Sequence, residues 1–87
     1  MSSARAVLIV RRRLASQIRR ARLELGLNQD QLGDAAGLSG KFIGELERAQ
    51  KSPTVDTLSR LAGALRKPLS KIVEQRGGIQ RRHRRAS

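Results

Sequence analysis

Apolar side chains recur along this chain at helical spacing, and in one stretch two short patterns meet across a break. Leu32, Ala35 and Ala36 fall at i, i+3 and i+4, and beyond Gly37-Leu38-Ser39 the spacing resumes with Phe42, Ile43 and Leu46. Gly37 suits the left-handed residue that ends a helix, Leu38 can bury beneath the turn, and Ser39 is a good N-cap for a helix starting at Gly40. The expected product over residues 27–48 is a helix, a tight glycine turn and a second helix.

The rest of the chain arranges itself around that unit. A first helix is predicted over residues 14–25, ended by Gly26. Residues 1–13 admit two readings. Val7, Val10, Leu14, Ile18, Ala21 and Leu25 can line one stripe of a longer helix, or Val7-Leu8-Ile9-Val10 can form a strand or arm ahead of it, which their β-branched character favours. The second helix takes Asn28 as N-cap, with Gln29, Asp30 and Gln31 in its first turn. The third covers residues 40–48, and residues 49–53 form a linker. Thr54 then caps a fourth helix with an apolar stripe of Val55, Leu58, Leu61, Ala62 and Leu65. Pro68 stops it and starts a fifth, in which Leu69, Ile72 and Val73 precede Gly77-Gly78. The prediction is an all-α, five-helix domain over residues 14–76, preceded by an arm or helix extension and followed by a basic tail at residues 77–87. That tail holds Ile79 and four arginines, too little apolar surface to offset the entropy of ordering it, so it is expected to be flexible.

Charge sharpens the picture. Nineteen Lys and Arg against seven Asp and Glu leave +12 over 87 residues, which implies a polyanionic partner: DNA first, RNA second, an anionic membrane third. The apolar run at residues 6–10 is far short of the ~20 residues that span a bilayer. It also precedes Arg11-Arg12-Arg13, the wrong order for a signal peptide. With no cysteine there is no disulfide framework or thiolate zinc site, and a reducing cytoplasm is the compatible compartment. His83 stands among arginines, so neither a metal, a cofactor nor an enzymatic site is expected.

Arg22, Leu25-Gly26-Leu27-Asn28-Gln29, Leu32, Ala36-Gly37-Leu38-Ser39, Ile43, Leu46-Glu47-Arg48 and Ser52-Pro53-Thr54 occur in an order and spacing that resembles the phage repressor and Cro (XRE) family of helix-turn-helix proteins. The likeness covers roughly residues 14–73, and it implies a lambda-repressor-like fold with a third helix that enters the DNA major groove. Carried over residue by residue, it implies base contacts at Ser39, Gly40, Lys41, Gly44 and Glu45, and phosphate contacts at Asn28, Gln29, Arg48, Lys51 and Ser52. Lysine can donate to guanine and glutamate can accept from cytosine, while the bland alternative is that Lys41 and Glu45 pair with each other four residues apart. The resemblance further implies that Arg22 and Glu47 form a charge-assisted bridge that orients the third helix.

Two departures stand out: Gly40 and Gly44 replace side chains the family often uses on DNA, and Ala49 replaces the glycine that commonly follows Glu-Arg. The function expected is a sequence-specific transcriptional regulator, a repressor or autoregulator, that binds a palindromic operator on double-stranded DNA as a homodimer in the cytoplasm, at the nucleoid. Its alternatives are an antitoxin that also controls its own operon and a general RNA or nucleic-acid binder. Leu69, Ile72 and Val73 are the expected dimer interface, and Arg76, Arg81, Arg82, Arg84 and Arg85 an electrostatic arm along phosphates. A length of 87 residues leaves no room for an effector domain, so control by concentration or by a protein partner, a toxin or polymerase, is expected.

Overall fold

The computed structural model describes residues 3–74 and contains five helices: α1 Ser3–Glu24, α2 Gln29–Ala36, α3 Gly40–Glu47, α4 Val55–Leu65 and α5 Leu69–Ile72. Three of the starts are capped as their residue types dictate. Asn28 Oδ1 accepts from the Gln31 amide at 2.7 Å while the Gln31 side chain accepts from the Asn28 amide at 2.8 Å, so two amides with no partner inside the helix are satisfied reciprocally. Ser39 Oγ accepts from Phe42 N at 3.0 Å, and Thr54 Oγ1 from Thr57 N at 3.1 Å. At the end of α2, Gly37 adopts φ 72° and the Leu38 amide reaches back to the Gly33 carbonyl at 2.8 Å, closing the turn into α3.

One core joins all five helices: Leu14, Ile18 and Ala21 from α1, Leu32 and Ala36 from α2, Ile43 and Leu46 from α3, Leu61, Ala62 and Leu65 from α4, and Ile72 from α5. Leu27, Leu38, Phe42, Leu58 and Leu69 pack around its edge. The predicted stripes lose Leu25 and Val55 at their ends and Ala35 within α2, all three of which are exposed.

Of the two readings open for residues 1–13, the helix extension is the one found: residues 3–13 are the first half of α1, which runs unbroken for 22 residues, about 33 Å at 1.5 Å per residue. The physical reason is backbone satisfaction: a lone strand leaves its amides and carbonyls without partners, whereas a helix continuing from residue 14 supplies them internally. One correction concerns the predicted dimer surface. Ile72 is 1% exposed and closes the core against α1 and α4, so it is not available to a second copy; α5 itself is a single turn, capped at Val73. The tail arginines Arg76, Arg81, Arg82, Arg84 and Arg85 lie outside the described residues.

Candidate nucleic-acid interface

Arg22 is the only charged side chain among the buried described residues, and its partners explain why it can be. Its Nε and Nη2 donate to the two carboxylate oxygens of Glu47 at 2.7 and 2.9 Å, and its Nη1 donates to the Leu27 carbonyl at 2.8 Å. A two-pronged fork of this kind is the strongest geometry available to a guanidinium and a carboxylate. It fastens the last residue of α3 to α1 and to the loop before α2. Hydrogen bonding by Glu47 raises the Arg22 guanidinium above its ordinary range; burial acts against this, and the Glu47 charge adds to the rise. Gln29 joins the same cluster, its Nε2 donating to Glu47 Oε1 at 3.2 Å.

The two glycines of α3 have a role inside the protein. A Cβ on Gly40 would fall on the Asp30 carboxylate, and one on Gly44 would lie 3.1 Å from Arg48 Nη1 and 3.2 Å from Gln29 Oε1. These positions let α2 lie close over α3, with Gln29 and Arg48 covering the gap. Gly44, expected on the outward face, is therefore buried, and of the five residues expected to contact bases, Ser39, Gly40, Lys41 and Glu45 keep an accessible surface. Lys41 is exposed and Glu45 half-buried, and they form neither an ion pair with each other nor a side-chain hydrogen bond elsewhere among the described residues. The bland i, i+4 couple is absent.

Around this face the remaining sites fall at two places. Asn28 and Gln29 stand at the start of α2; Arg48, Lys51 and Ser52 follow α3. Arg48 Nε donates to Gln50 Oε1 at 3.2 Å, and Lys51 is exposed. Ala49 takes up the left-handed conformation, φ 61°, that the glycine common in the resembling family would adopt without strain. The residue that sequence reasoning missed is Arg11, whose Nε donates to Ser52 Oγ at 2.6 Å across 41 positions of chain. Only a continuous α1 brings it there, and with the arm and the longer helix both open the sequence did not assign it a place.

Among the described residues no cluster of His, Cys, Asp and Glu can hold a metal ion, and no helix is long and apolar enough to cross a membrane.

Comparison with known proteins places this geometry. The chain is 39% identical over 56 residues to the HTH-type transcriptional regulator y4dJ of Sinorhizobium fredii, covering 64% of this chain and 73% of that one. It is 36% identical over 64 residues to the control protein C.SmaI of Serratia marcescens, covering 74% and 76%. The crystal structure of the restriction-modification controller protein C.AhdI from Aeromonas hydrophila superposes with a TM-score of 0.70 at 26% identity, over 71% of this chain and 94% of that one. The sequence profile of the HTH_3 helix-turn-helix family matches residues 18–72, from the Ile18 of α1 to the Ile72 that closes the core. A matched span that takes in the end of α1 and all of α2 to α5, with the capped glycine turn and the α3 bridge inside it, means that the chain belongs to the HTH_3 helix-turn-helix family of non-enzymatic, DNA-binding transcriptional regulators.

Proposed function

We infer that the chain regulates transcription by binding a palindromic operator as a homodimer, as a repressor or autoregulator, with α3 in the major groove. The observation that carries this reading is the pairing of a free reading face with a rigid mount. Lys41 and Glu45 have no side-chain partners among the described residues, while Glu47 at the end of the same helix is locked to Arg22. Side chains left unpaired on a fixed helix give up no internal bond on meeting a base edge, and the mount spares the ordering of the helix itself. Asn28 and Gln29 on one side and Arg48, Lys51 and Ser52 on the other are suited to phosphates, with Arg11 adding a guanidinium beside Ser52.

A palindrome needs two reading heads, and apolar surface for pairing two copies exists away from Ile72. Val7, Leu8, Ile9 and Val10 are four consecutive helical positions, hence apolar on every side, and all are 40–48% exposed. Ala6, Val7 and Val10 border an open apolar groove of about 420 Å³ with Pro53, Leu58 and Val73 on its other wall. A two-fold contact counts each of these side chains twice, which makes a second copy the efficient cover.

A competition titration tests the reading: labelled palindrome selected from a random duplex pool, challenged with unlabelled palindrome, random duplex and RNA. Displacement by the palindrome at concentrations at least about a thousandfold below random duplex is expected for a specific regulator. Equal displacement by random duplex or RNA would reject it.

A further inference from the structure

The long α1 carries far more positive charge than the reading face uses. Arg5, Arg12 and Arg19 repeat every seven residues in one row, and Arg13 and Arg20 form a second row beside it. None of these five side chains makes a hydrogen bond or ion pair among the described residues. At 3.6 residues per turn, Arg13 and Arg20 point about 180° and about 160° away from Arg22, the residue that faces α3. They border a cleft of about 580 Å³, with Arg12 beside them and Lys67 and Lys71 on the opposite wall. Two carboxylates share that cleft, Glu24 at 3.3 Å from Lys67 Nζ and Glu74 at 4.0 Å from Lys71 Nζ. These offset the lysines and leave the three arginines unopposed. Gln17 ties the walls together, its Nε2 donating to the Glu74 carbonyl at 3.0 Å.

We propose that this face of α1 is a second, sequence-independent DNA-binding surface, so that a molecule seated on an operator through α3 can hold another duplex by its phosphates. The proposal rests on the operator-binding reading for its first duplex only. Guanidinium groups match phosphate oxygens in two-pronged geometry, and the cleft walls are charged, unlike the apolar walls that enclose small ligands. From Arg5 to Arg20 the helix rises about 22 Å, the axial length of six or seven phosphates on one strand. The polyanion present at highest concentration around an operator-bound molecule is DNA itself. With α3 occupied, the Arg13 and Arg20 row opposite Arg22 remains open to a second duplex, with the Arg5, Arg12 and Arg19 row on its flank.

The test uses the full chain with biotinylated palindromic operator on beads and a fluorescent random duplex in solution. The wild type is expected to bring the second duplex down with the beads. A variant with Arg12→Gln, Arg13→Gln and Arg20→Gln changes only exposed side chains. It should keep operator binding within about twofold, lose at least about tenfold in capture of the second duplex, and flatten the log–log salt dependence of that capture by about 2 to 3. Unchanged capture by this variant would overturn the proposal. So would loss of capture on truncation after Gly77 with the three arginines intact, which would assign the second duplex to the tail. Displacement of the second duplex by RNA or by anionic vesicles, but not by unlabelled duplex, would overturn it in favour of those polyanions. If the protein itself is not retained on the operator beads, the operator reading has failed instead. The salt slopes of wild type and triple variant on random duplex alone then decide the α1 surface separately.

Discussion

Glu47 binds Arg22 through both oxygens and also accepts from Gln29, so a change at this one residue tests how the reading helix is mounted. Glu47→Gln keeps the shape but removes the counter-charge, leaving the buried Arg22 guanidinium with one amide oxygen and the Leu27 carbonyl as neutral acceptors. It should cost about 3 kcal/mol in urea unfolding at neutral pH and lower operator affinity with it. The Arg22 side of the bridge stays charged throughout the ordinary pH range. A folded-state pKa raised above the unfolded value contributes stability that is complete below the unfolded value and lost as pH rises through the folded one, and for Arg22 that window lies in strong alkali. Lys41→Ala tests the reading face: operator binding should weaken by about 1–3 kcal/mol with relaxed preference at one base pair. Equal loss on random duplex would reduce Lys41 to a phosphate contact. Ala49 is a residue in the wrong conformation for its type, with φ 61°. Ala49→Gly removes the clash of Cβ with its own carbonyl and should raise stability by about 0.5–1 kcal/mol, read as an increase in Tm of a few degrees.

Among the elements, the starts of α2, α3 and α4 were legible and the start of α1 was not. Asn28, Ser39 and Thr54 cap through their own side chains onto amides three residues on, a local interaction that residue type and spacing announce. The extent of α1 depended on a competition between strand propensity at residues 7–10 and continuation of a helix already formed, and continuation satisfies more backbone groups. Glycines in helices show the same division. Gly63 lies in α4 with nothing within 4 Å of where a Cβ would stand, so Gly63→Ala should stabilise by up to about 1 kcal/mol in the same unfolding measurement. Gly40 and Gly44 share its residue type but face α2, and a loss of stability at Gly63 would mean that its helix too has a close neighbour in solution.

For the whole molecule the decisive comparison is between Ile72 and Val10. Ile72→Glu buries a carboxylate among Leu14, Ile18 and Leu65, and the expected outcome is an unfolded chain by circular dichroism. Val10→Asp alters a 48% exposed position and should yield folded monomers by sedimentation that bind single half-sites weakly. A Val10→Asp protein that remains dimeric would place the pairing surface elsewhere. What residue order alone determined was whatever depends on near neighbours: the capped starts, the left-handed Gly37 turn, the central positions of each apolar stripe, and a net charge that demands a polyanion. The Arg22–Glu47 fork was legible only through resemblance to a family, because the two residues are 25 positions apart. Only the tertiary structure decided that Ile72 is core and not interface, that Gly44 is covered by Gln29 and Arg48, and that Arg11 reaches Ser52. Periodicity says which side of a helix is apolar. How close two helices distant in sequence approach, and which of several apolar or charged faces is left uncovered, follows from packing all five at once.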